Sequence, residues 1–151
     1  MKKQEFSYLS SDNKTNIHAV MWLPEGEIKS VVQIIHGITE NILRYEKFAE
    51  YLTSNDIALV GNDLIGHGLS ISDDKMYFGP TGSWRFVVDD VLNLKKQVED
   101  KLKVHDIILL GFSLGSFVAR TIAIDYPQEY NKIILLGTGY LSSLEFKLAC
   151  T

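Results

Sequence analysis

The chain has 151 residues, 46% of them hydrophobic and 23% charged, and a net charge of −4. That length and composition suit one globular domain with a real core, and the acidic balance argues against a nucleic-acid partner, which needs clustered Lys and Arg. A single cysteine, Cys150, excludes an internal disulfide framework and points to a reducing, cytoplasmic setting.

The N-terminus, Met1-Lys2-Lys3-Gln4-Glu5, starts with the positive charge of a signal peptide, but no apolar h-region follows. No apolar run approaches the roughly 20 residues that a membrane helix needs. Glu5–Ser10 and Asn16–Leu23 read as two strands around the polar turn Ser11-Asp12-Asn13-Lys14, a hairpin. Val31–Ile35 is a buried strand ending at His36-Gly37. Tyr45, Phe48, Ala49 and Leu52 follow the i, i+3, i+4, i+7 spacing of an amphipathic helix. Ile57–Val60 is the next strand. Val87, Val91, Leu94, Val98 and Leu102 mark a longer helix beginning near Ser83, with Lys95-Lys96, Glu99, Asp100, Lys101 and Lys103 on its solvated face. Ile107–Leu110 is a strand, and Phe117, Val118 and Ile122 define a helix that stops at Tyr126-Pro127. Ile133–Leu136 is the last strand, and Gly137–Thr151 carries no clear element. Four apolar runs separated by helices predict βαβ units: an α/β fold with a mostly parallel sheet, helices on both faces and the hairpin on one side.

The most informative pentapeptide is Gly111-Phe112-Ser113-Leu114-Gly115. G-x-S-x-G between a strand and a helix is the setting in which a serine is held up as a nucleophile. Ser113 is the candidate nucleophile. Gly111 and Gly115 flank it where side chains would collide with the adjoining helix or strand. In such an architecture the loop after the first parallel strand, His36-Gly37-Ile38-Thr39-Glu40, supplies one oxyanion donor, and the residue after the serine supplies the other. The candidate donors are the backbone amides of Ile38 and Leu114, with His36 and Gly37 as structural support.

Three motifs together resemble a known branch. His36-Gly37-Ile38-Thr39-Glu40-Asn41-Ile42-Leu43-Arg44-Tyr45 resembles H-G-x-x-E-x-x-x-R-Y, and Asp63-Leu64-Ile65-Gly66-His67-Gly68-Leu69-Ser70 resembles D-x-x-G-H-G-x-S. With Gly111–Gly115 they match, in order, the monoacylglycerol lipase and lysophospholipase branch of the α/β-hydrolases, the serine aminopeptidase S33 type. Ile65, Phe112, Leu114 and Ser116 depart from the residues common there. The resemblance implies an α/β-hydrolase core, a serine hydrolase acting on a lipid-like carboxylic ester, no cofactor, no metal, and His67 in a structural turn. It also implies an N-terminal half: the family's triad aspartate and histidine follow the serine, after a lid, whereas His18, His36, His67 and His105 all precede Ser113.

Other residues have plainer readings. Asp63 fixes its turn by bonding nearby amides. Glu40 and Arg44 either hold the oxyanion loop or form a solvated pair. Asp125 and Glu129 lie at or beyond the wrong end of the helix for a triad acid, and no strand places Glu145 there. Trp84 and Phe86 are packing residues. The expectation is therefore a hydrolase core cut after about its sixth strand, with an apolar edge at Ile133–Leu136 open to self-association. A non-catalytic fragment or interaction module, and an acyltransferase on the same fold, are the alternatives.

Overall fold

The computed structural model describes residues 1–71 and 83–140. Six strands form one sheet in the order β1-β2-β4-β3-β5-β6. β1 (Lys2–Leu9) and β2 (Asn16–Leu23) make an antiparallel hairpin, from Lys2 opposite Leu23 to Leu9 opposite Asn16. β2 also runs antiparallel to β4 (Ile57–Asn62), which pairs parallel with β3 (Ser30–Ile35). On the other side of β3 come β5 (Ile107–Phe112) and then β6 (Lys132–Leu136), both parallel. This is the expected mostly parallel α/β-hydrolase core with an N-terminal hairpin on one side.

The central strands read as continuous apolar runs because both of their faces are covered. Val31, Val32, Ile34 and Ile35 of β3 and Ala58, Leu59 and Val60 of β4 are all buried. The one polar residue inside β3, Gln33, is satisfied: its Nε2 donates to the Val91 carbonyl at 2.9 Å, and its Oε1 accepts from the Tyr130 hydroxyl at 2.9 Å. β1 begins three residues before its apolar pattern does. Pairing with β2 outweighs the weak strand preference of Lys2-Lys3-Gln4.

A 3₁₀ turn (Ile42–Tyr45) leads into α1 (Glu46–Thr53). Ile42, Ala49 and Leu52 cover one face of the sheet, against Val20, Trp22, Val32 and Leu59. α2 (Trp84–Leu102) and α3 (Leu114–Asp125) cover the other with Val87, Val91, Leu94, Val98, Val118 and Ile122. The hairpin turn is tied to α2 by the buried Asp90. Its carboxylate accepts the Ser10 hydroxyl at 2.7 Å and the Ser11 amide at 2.7 Å, and burial raises its pKa.

One expectation is corrected. Lys95 is not on a solvated face; it is 7% exposed. Its Nζ sits 3.2 Å from Glu99 and 2.9 Å from Glu129, and 5.2 Å from the centre of the Tyr130 ring. The long aliphatic stem lies along the packed side of α2 while two carboxylates neutralise its head. The last strand is the least covered: Ile134 and Leu136 remain 42% and 47% exposed. The tail beyond Tyr140, including Glu145 and Cys150, lies outside the described residues.

Candidate active site

The site is set by strand register. Ile35 of β3 pairs with Gly111 of β5, so the loops that follow leave the sheet side by side at its carboxyl edge. Ser113 occupies the turn between β5 and α3 with φ 49° and ψ −114°. A non-glycine residue there costs about 1–3 kcal/mol and persists only when its surroundings enforce it. They do. The Ser113 amide donates to the Leu136 carbonyl at 2.9 Å. The Ser113 carbonyl accepts from the Ser116 amide at 2.9 Å and the Ser116 hydroxyl at 2.6 Å. Ser116, a departure from the family pattern, thus helps hold the turn. A Cβ on Gly111 would strike the Gly115 carbonyl oxygen, and one on Gly115 would strike that of Ile35. Strand, turn and helix can approach this closely only with hydrogens at both places.

The loop after β3 abuts this turn. A Cβ built on Gly37 would lie 3.4 Å from Ser113 Cβ and 3.3 Å from Phe112 Cδ1. Its backbone groups can be accounted for one by one. The Gly37 amide donates to Glu40 Oε2 at 3.0 Å. The Gly37 carbonyl accepts from His36 Nδ1 at 2.7 Å and from the Glu40 amide at 3.2 Å. The Ile38 carbonyl faces His67 Nε2 at 2.7 Å. Among the described residues nothing accepts from the Thr39 amide, and nothing accepts from the Ile38 amide. It shares a trans peptide plane with the Gly37 carbonyl and points the opposite way, away from His36. The Leu114 amide is likewise unengaged among the described residues, at the first position of α3, where helix amides have no internal acceptor.

His36 is fully buried, and its tautomer is fixed. Nε2 accepts from the Leu64 amide at 3.0 Å, so Nδ1 carries the hydrogen given to Gly37. Burial pushes its pKa below the ordinary histidine value. Glu40 is not a solvated partner of Arg44. Its side chain is only 10% exposed and meets Arg44 Nε at 2.7 Å, the Gly37 amide and the Tyr45 hydroxyl at 2.6 Å. Desolvation, with Glu40 alongside, raises the Tyr45 pKa well above the ordinary phenol. Asp63 anchors its loop through the Ile42 amide at 2.7 Å, the Leu69 amide at 2.9 Å and His18 Nδ1 at 2.9 Å. Tyr45, the Asp63–His18 contact and the His67–Ile38 contact were not legible as site supports. The two histidine contacts join residues far apart in sequence without periodicity, and the Tyr45 hydroxyl reaches back five residues to Glu40.

None of the four histidines is placed as a base for Ser113. Both nitrogens of His36 are taken, and those of His67 face the Ile65 and Ile38 carbonyls at 3.0 and 2.7 Å. His18 is clamped between Asp63 and Glu5. His105 precedes β5, so the length of that strand, about 20 Å, separates it from Ser113. Asp125 pairs with Arg85 and Glu129 with Lys95. No group of three His, Cys, Asp or Glu side chains converges as a metal site among the described residues. Trp84 packs against the core and donates to Thr121 at 3.2 Å. Beside Ser113, on the α1 side of the sheet, lies an apolar groove of about 220 Å³ lined by Ile34, Tyr45, Phe48, Leu110, Phe112 and Leu136.

The family model for serine aminopeptidase, S33, matches residues 26–149. The chain belongs to the S33 hydrolase family. It is 32% identical over 122 residues to a monoglyceride lipase homolog of Monkeypox virus, covering 80% of this chain and 42% of that protein. It is 25% identical over 142 residues to the monoglyceride lipase of Homo sapiens, covering 94% and 46%. The structure of a highly thermostable carboxyl esterase from Bacillus coagulans superposes with a TM-score of 0.87 at 27% identity, covering 98% of this chain and 48% of the esterase. This S33 chain spans about half the length of the curated relatives it matches. Among the described residues no helix is long and apolar enough to cross a membrane.

Proposed function

We propose that these residues form the nucleophile and oxyanion half of a cytoplasmic serine hydrolase. Its substrate is a lipid-like carboxylic ester of the monoacylglycerol or lysophospholipid kind. Ser113 Oγ attacks the ester carbonyl carbon and its proton passes to a base. The carbonyl oxygen, now negative, accepts from the Ile38 and Leu114 amides. Collapse expels the alcohol, which takes the proton, and leaves an acyl ester on Ser113 that water then hydrolyses. The observation that carries this reading is the β3–β5 register, which sets the Gly37–Ile38 loop, with its uncommitted Ile38 amide, against the strained Ser113 turn.

The arrangement of the histidines favours a second statement: base and acid come from residues outside these 151, so the chain by itself turns over little or no ester. The test is to express the polypeptide encoded by the natural gene and assay p-nitrophenyl butyrate. Hydrolysis should be saturable and fall at least about 10³-fold in Ser113→Ala. Label from a fluorophosphonate probe should map to Ser113. Undiminished activity in Ser113→Ala would overturn the proposal. Adding an alcohol acceptor distinguishes hydrolysis from acyl transfer by the product formed.

A further inference from the structure

The loop that carries the Ile38 amide is held by two histidines on two successive peptide planes. His36 holds the Gly37 carbonyl, which belongs to the same plane as the Ile38 amide. His67 holds the Ile38 carbonyl at 2.7 Å, which belongs to the next plane. Together the two planes fix both backbone dihedrals of Ile38. If only one were held, rotation about the neighbouring bond could turn the 38–39 peptide over and shift the chain at Ile38. The His67 ring lies 5.2 Å from that of His36, inclined at 55°, so the two form a bracket beneath the loop. His67 is itself rigidly carried. It is 3% exposed, its amide donates to the Leu64 carbonyl at 2.9 Å, and its carbonyl accepts from the Ser70 amide at 2.8 Å. Leu64 is also the residue whose amide holds His36. The 63–70 loop therefore reaches the 36–40 loop through both rings.

We propose that His67 is a positioning residue for the oxyanion site: through its Nε2–H···O=C bond to Ile38 it keeps the Ile38 amide turned toward Ser113. The inference rests on the reading of that amide as an oxyanion donor. It assigns His67 no proton transfer in the reaction. Both ring nitrogens face carbonyl oxygens, which can only accept: Nε2 meets that of Ile38 at 2.7 Å and Nδ1 that of Ile65 at 3.0 Å, and the proposal places the hydrogen on Nε2, at the shorter contact.

The test has a structural arm that needs no turnover. In the ¹³C,¹⁵N-labelled 151-residue chain, His67 Nε2 should resonate as a protonated nitrogen and show a coupling across the hydrogen bond to the Ile38 carbonyl carbon. His67→Phe should move the Ile38 and Thr39 amide signals more than any others outside the 63–70 loop. His67→Gln, which can still donate, should restore them. Ile38 and Thr39 signals that stay in place in a folded His67→Phe protein overturn the proposal. A second arm titrates butylboronic acid, which makes a tetrahedral adduct on a reactive serine, into the polypeptide encoded by the natural gene, and follows the same amides. His67→Phe should weaken binding about tenfold or more, less than the 10²–10³ lost when an oxyanion donor is removed outright, with recovery in His67→Gln. Unchanged boronate affinity in His67→Phe overturns the link to the oxyanion site. Equal affinity in Ser113→Ala instead defeats the nucleophile reading, and the amide shifts then still decide whether His67 clamps the loop.

Discussion

A methyl group on Gly115 would strike the Ile35 carbonyl oxygen and lie 2.7 Å from its carbon, and backbone cannot step aside as a side-chain tip can. Gly115→Ala is therefore expected to destabilise the fold by about 1–3 kcal/mol, read by urea unfolding. A variant as stable as the parent would mean that α3 stands farther from β3 than the register requires. His36 gives a pH signature. Its folded pKa lies below the ordinary 6.5, because burial disfavours the imidazolium. Between the two values the unfolded chain takes up a proton that the folded one refuses, so stability is full above 6.5 and declines as pH falls toward the folded value. Unfolding free energies at pH 7.5 and 5.0 should show a smaller loss in His36→Gln than in the parent. Equal losses would exclude His36 as the source. The reasons for Gly111, Gly115 and Ser113 were legible in sequence, since a pentapeptide between a strand and a helix carries its steric logic locally. Glu40 was only half legible, and Lys95 misled, because whether a charge is solvated depends on what folds over it.

At the scale of elements, the apolar runs located every strand, because central parallel strands have no polar face to confuse the pattern. The ends were missed by one to three residues where pairing extends a strand beyond its apolar stretch, as at Lys2 and Asn62. β6 is the element with consequences in solution. Its backbone pairs with β5 on one side, and Ile134, Leu135 and Leu136 are exposed. Lys132, the strand's one charge, is already paired with Asp106. An apolar edge so lightly guarded recruits strands. Light scattering of the 151-residue chain should give a mass that rises with concentration, and Ile134→Lys with Leu136→Lys should suppress the rise. A parent that stays monomeric at every concentration would remove the edge as an association site.

For the whole molecule, the two sides of the candidate site come from loops 75 residues apart, at Ile38 and Ser113. They meet only because β3, first of the parallel strands in the chain, lies between the later β4 and β5. The 151-residue chain should show at most trace hydrolysis of p-nitrophenyl butyrate, since a serine without its base is a weak nucleophile. Brisk Ser113-dependent turnover by this chain would require a base among His18, His36, His67 and His105. The strand order also bears on how the chain comes to be folded. When β3 and α1 have docked with β4, one flank of β3 still waits, through the whole of α2, for β5 to arrive. Contacts of such long sequence separation form slowly. In that interval Val31–Ile35 presents an unpaired apolar flank, the kind of surface on which nascent chains misassemble. The strand that carries one loop of the candidate site is thus also a folding hazard, and refolding yield should fall with protein concentration before β5 has closed the gap.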